Sequence, residues 1–210
     1  MEKSYHSICR WTFNPGKGGF VPSNIRPLWA GNKFTSSDFI KLVAEKIKPR
    51  LPDNVIVGVE FHYDTEINEK SVDEVVDIMK EKNIYLALIT PGAHSHFAYG
   101  GIASLDPDER KKAEEFGIKT VDITYEKLKD VFLKGKEPSF VLWNGSWGYD
   151  IATPFIKKMY ENLKESVANL CKYEEKKEDY YILQLNQNQM KDILQCLFQL
   201  LQVLFYSGKG

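Results

Sequence analysis

Continuous apolar runs recur along the chain at Ser7–Phe13, Val55–His62, Ile84–Pro91, Phe140–Asn144 and Tyr180–Leu185. Short runs rich in Val, Ile, Leu and aromatic residues have the composition of strands buried on both faces. Between them the apolar residues take helical spacing. A first helix is expected over about residues 36–48. Ser71 and Glu74 read as a capping box ahead of Val72, Val75, Val76 and Met79. Asp106, with Pro107 in the first helical position and Glu109 three residues on, starts another. Thr153–Pro154 opens a helix whose stripe is Ile156, Met159, Tyr160, Leu163, Val167 and Leu170.

Strand and helix in alternation imply a parallel sheet wrapped by helices. The alternation does not separate an open doubly wound sheet from a (β/α)8 barrel. A complete barrel takes ~250 residues, so four or five strand–helix units would be about half of one. The NPGKGGF segment has neither the G-x-G-x-x-G spacing nor a Walker lysine. Gly16, Gly18 and Gly19 are better read as turn formers.

Composition narrows the class. A net charge of −1 without blocks of like charge gives nucleic acid and anionic membranes nothing to hold. Cys9, Cys171 and Cys196 are odd in number and widely spaced, which suits a reducing cytoplasm rather than a disulfide framework. The N-terminus, Met1 to Cys9, does not look like a signal peptide. The most apolar stretch, residues 193–206, is too short and too interrupted by Gln to span a bilayer. The expectation is a soluble, cytoplasmic α/β protein.

In parallel α/β folds the chemistry collects at the C-terminal ends of the strands. Those ends carry Arg10, Trp11 and Phe13, then His62, Asp64 and Glu66, then His94 and His96, then Trp143, Asn144 and Trp147. Each has a plain structural reading: a histidine there is often a hydrogen-bonded rim residue, and a tryptophan can simply cover the core. His62 stands out because a neighbouring carboxylate sets the imidazole tautomer and raises its basicity. Convergence from four separate segments favours a site.

These segments resemble xylose isomerase and, more closely, xylose-isomerase-like sugar isomerases. ICRWTF is similar to the family's first-strand segment, EFHYDTEI to the second-strand segment with the catalytic histidine, and HFAYGGIASLDPD to the loop of small residues before a helix. VLWNGSWGYD resembles the fourth-strand motif W-G-G-R-E-G-Y-E, with Trp143, Gly145, Gly148 and Tyr149 matching. The resemblance covers about residues 5–183. It implies a (β/α)8 TIM-barrel family, here as a partial barrel of about four to five βα units. It implies His62 and Asp64 as catalytic residues and Trp11, Phe13, His94, Trp143 and Asn144 as sugar-binding ones. Two departures stand against it. Thr65 occupies the place of the family's aspartate, three residues after the histidine, and Ser146 and Trp147 replace its Arg–Glu pair.

From Gln184 the chain changes character. All six glutamines fall in the last 27 residues, and every proline and alanine precedes them. Read back by one nucleotide, LNQNQ is compatible with I-E-P-K-P, the family's fifth-strand motif with its metal-binding glutamate and lysine. The expectation is therefore residues 1–183 as the N-terminal half of the barrel and 184–210 as an out-of-frame tail. In the family, divalent Mg, Mn or Co ions bound by carboxylates from the fifth strand onward drive aldose–ketose isomerisation. A chain without those carboxylates is expected to bind no ion tightly and to be inactive as an isomerase. Its partners would be a small sugar and, through open strand edges, other copies of itself. The alternatives are a hydroxypyruvate-isomerase-like or endonuclease-IV-like enzyme, or a non-catalytic half-barrel.

Overall fold

The computed structural model describes residues 2–13, 34–133, 139–142, 155–174 and 183–185. Strands β1 (Ser4–Cys9), β2 (Val55–Tyr63), β3 (Tyr85–Pro91), β4 (Ser139–Leu142) and β5 (Leu183–Leu185) form one sheet in that spatial order, every neighbouring pair parallel. Helices α1 (Ser36–Leu42), α2 (Val72–Lys82), α3 (Pro107–Ile123) and α4 (Ile156–Glu174) complete it. Helix α1 runs on through a π-helical stretch, Val43–Ile47, and α3 through another, Thr124–Leu128.

This is an α/β fold, but not the partial (β/α)8 barrel of four to five units. Among the described residues only β1, β2 and β3 are strands of any length, with six, nine and seven residues. β4 and β5 have four and three, and β4 meets β3 over just two residue pairs. Three long parallel strands make a small open sheet. The expectation failed because alternating strands and helices are common to both architectures. Strand bounds also moved. β1 begins at Ser4 and ends at Cys9, and the next residues, Arg10–Phe13, form a 3₁₀ turn that swings them out of the sheet. The expected division of the chain at 183/184 falls inside β5 (Leu183–Leu185), and residues 186–210 lie outside the described ones.

Strand β2 alternates in environment along its second half. On β2, Val57, Val59, Phe61 and Tyr63 are buried, whereas Glu60 and His62 between them are half-buried. The buried set shares one core with Phe39, Ile40 and Val43, with Val72, Val75, Val76 and Met79 of α2, and with Leu86 and Ile89 of β3. Each such side chain contributes roughly 1.5–3 kcal/mol on burial. Gly58 is required by a close approach: a Cβ there would stand 2.6 Å from the Tyr85 ring.

One expected helix start is present and another is not. Asp106 caps α3, accepting from the Asp108 N–H at 2.9 Å. Ser71 makes no side-chain cap. Its hydroxyl instead accepts from the Asn68 N–H at 3.1 Å, in a turn closed by Asn68. The capping box is at α1: Thr35 Oγ1 accepts from the Asp38 N–H, and the Asp38 carboxylate accepts from the Thr35 N–H. α2 ends on Asn83 at φ 52°, a left-handed position that Asn tolerates.

Candidate functional site

The end of β2 is folded back on itself. Glu66 and Ile67 donate their N–H groups to the His62 carbonyl at 3.0 and 3.2 Å, so the turn after Tyr63 carries the Glu66 side chain over His62. Glu66 Oε2 accepts from the His62 N–H at 2.8 Å and stands 3.4 Å from His62 Nδ1. Both side chains are withdrawn from water, 13% exposed for His62 and 7% for Glu66. Trp11, placed by the turn after β1, covers the imidazole with ring centroids 4.3 Å apart at 50°. The chemistry of this corner is an imidazole with a carboxylate oxygen 3.4 Å from Nδ1 at one side and an indole at another.

Asp64 belongs to a different pair. Its Oδ1 lies 2.8 Å from His96 Nε2, with side chains 37% and 40% exposed. The His96 ring rests on Phe116 of α3 at 5.0 Å, and Phe116 also meets Tyr63 at 5.3 Å. Phe13 packs on Phe39 at 5.3 Å and so joins the core around α1. His94 lies in the turn Ala93–Ser95, with its side chain outside the description. Trp143 and Asn144 also lie outside the described residues. Of the expected site, then, the structure brings Trp11 and His62 together, sends Asp64 to His96 and Phe13 to the core.

A further carboxylate, Glu60, lies on β2 two residues before His62. Glu60 accepts from the Ser7 hydroxyl and, at 3.0 Å, from Cys9 Sγ. Burial, then the hydrogen bond to Glu60, pushes the Cys9 thiol well above the usual range, so Cys9 is a protonated donor and not a nucleophile. The signal was present: a lone Glu inside VIVGVEFHY, in register with Cys9 of the neighbouring strand.

Divalent ions are the cofactor that the resemblance implies. Among the described residues no group of three or more His, Cys, Asp or Glu is arranged to hold one. The described residues do not fit the ions. Among the described residues no helix is long and apolar enough to cross a membrane. In comparisons with known proteins, the chain matches no family model and no curated sequence.

Proposed function

We propose that this chain binds a small cyclic sugar and opens its ring, the acid–base part of a xylose-isomerase-like aldose–ketose isomerase. The observation that carries the reading is the Trp11–His62–Glu66 corner. An indole offers a flat apolar wall of the kind the C–H face of a sugar stacks on. An imidazole beside a carboxylate is suited to moving one proton. His62 takes the proton of the anomeric hydroxyl as the C1–O bond to the ring oxygen breaks. The C1 carbonyl forms, and the imidazolium returns the proton to the ring oxygen.

Anomer exchange of D-xylose, followed by NMR, tests this directly. His62→Gln should lower the catalysed rate by roughly 10²–10⁴. A folded variant exchanging anomers as fast as the wild type would remove His62 from the chemistry.

The same reading makes the protein cytoplasmic, with the ion-binding carboxylates of its full-length parent encoded in another frame after codon 183. Mn²⁺ titration of the purified 210-residue chain should then show no tight site, and no ketose should form from D-xylose. Micromolar binding would overturn that part. We also propose self-association. Among the described residues β1 lies at one edge of the sheet, and a strand edge can template pairing with another chain. A monodisperse monomer on size exclusion would contradict it.

A further inference from the structure

The face of β2 opposite to Val57, Val59 and Phe61 carries Gly58, Glu60 and His62. Residues two apart on a strand share a face and stand roughly 6.6 Å apart, so the three form one row. The register sets Ser7 beside Gly58 and Cys9 beside Glu60, and two residues on Trp11 meets the His62 ring. At the first place in the row the Tyr85 ring lies 2.6 Å from where a Cβ of Gly58 would be. At the last, the imidazole lies under the indole. Between the two aromatic rings comes a half-buried carboxylate.

The sheet itself does not require a charge at that place. Glu60 accepts from the Ser7 hydroxyl through one oxygen and from Cys9 Sγ, at 3.0 Å, through the other. Ser7 is exposed, where water would serve its hydroxyl as well, and a thiol is a weak donor. Among the described residues no Lys, Arg or His forms an ion pair with Glu60. A charge drawn partly out of water without a cation is costly, and two neutral donors offset only part of that cost. A carboxylate has about four acceptor positions, of which these donors occupy two. What the remaining positions suit is a ligand bearing hydroxyl donors, because hydrogen bonds to an ionised acceptor are the strong ones.

We propose that Glu60 is the hydroxyl anchor of the sugar site: with the anomeric end of the ring at His62, the hydroxyls on its far side donate to the Glu60 carboxylate. This rests on the reading of His62 as the ring-opening group, and it names what holds the substrate against that group. One same-face step along β2 separates the two residues, a span that a single sugar ring bridges. Specificity follows from the same geometry. A ring polyol is held in place, and a ring stripped of its distal hydroxyls is not.

The test uses the full chain and 1,5-anhydroxylitol, a ring polyol without the anomeric hydroxyl, whose binding does not depend on ring opening. In an NMR titration the wild type should bind it. Glu60→Gln, which keeps the shape and an acceptor oxygen, should bind it at least tenfold more weakly. In anomer exchange of D-xylose the same variant should raise KM by a similar factor, with the loss chiefly in KM and not in turnover, the mark of an interaction made equally before and during the reaction. A wild type that does not bind the analogue would overturn the proposal, as would a folded Glu60→Gln that binds it equally well or loses turnover alone. If Glu60→Gln does not fold, the carbon-13 resonance of the Glu60 carboxyl in the wild type decides: movement as the analogue is added supports the anchor, and a fixed resonance refutes it. Should the wild type bind the analogue through Glu60 yet catalyse no anomer exchange, the ring-opening reading fails and the anchor stands. Should it catalyse an exchange that Glu60→Gln leaves untouched, the anchor fails and the ring-opening reading stands.

Discussion

Two imidazole–carboxylate pairs stand at the end of β2, separated by two residues of sequence and by most of the physics that gives such pairs their strength. His62–Glu66 is local, four residues apart, and sealed under Trp11. Asp64–His96 joins segments 32 residues apart and is more than a third exposed on both sides. The buried pair also satisfies a backbone N–H, so removing its carboxylate exposes a second debt. The rim pair has the shorter ion contact, 2.8 against 3.4 Å, and still the smaller leverage. Distance alone ranks these pairs wrongly; burial and the additional hydrogen bond reverse the order.

The comparison is broken most directly at Glu66. Glu66→Ala leaves the His62 N–H without its acceptor in a nearly dry place, and such an orphan costs about 1–3 kcal/mol. Urea unfolding of the variant should show that loss, with near-UV circular dichroism changing at the Trp11 band. A loss no greater than at Asp64 would mean that burial does not separate the two pairs.

Asp38 sharpens the comparison as a carboxylate with no imidazole. The Thr35 backbone N–H, then the Thr35 hydroxyl, hold its carboxyl below the usual range. A depressed folded value means that its contribution is present above the ordinary carboxylate pKa and lost as pH falls through the folded one. Asp38→Asn should therefore be less stable than the wild type at neutral pH, and the two should converge in acid. Thr35→Ala, which removes the other half of the box, should cost about 0.5–2 kcal/mol. Stability curves that stay parallel down to acid pH would contradict the assignment.

Much of this arrangement was legible before any coordinates. The apolar runs marked β2 and β3 closely because their burial leaves few other residue types possible there. His62 and Trp11 were legible as strand-end residues because parallel strands bring those ends together whatever the architecture. The partnering of carboxylates was not. Whether Asp64 or Glu66 meets His62 depends on how tightly the turn after Tyr63 folds back, and that is set by backbone bonds to the His62 carbonyl rather than by spacing. Ser71 illustrates the same limit. Its S-x-x-E pattern is a proper capping box, yet Asn68 competes for the hydroxyl, while the equivalent T-x-x-D at Thr35 forms. Open sheet and partial barrel share one pattern of alternation, so the length and pairing of the later strands had to decide between them.

The smallest expected effect is at the rim, and it is the most discriminating in kind. Asp64→Asn keeps the side-chain shape and an acceptor oxygen for His96 but removes the charge. Because both partners face water, the lost attraction is offset by rehydration and screened by ions, and exposed pairs contribute ~0–1 kcal/mol. What remains is a neutral hydrogen bond and the packing of the His96 ring on Phe116, which the substitution does not touch. Asp64→Asn should thus change urea stability by under about 1 kcal/mol in low salt. The difference from wild type should shrink further in 1 M NaCl, where the screening length is about 3 Å. Glu66→Ala should hardly respond to salt, because its debt is an unpaired N–H in a place that ions do not enter. If both variants lost their effect together as salt rose, the His62 corner would be as wet as the rim, and the argument from burial would fail at both pairs.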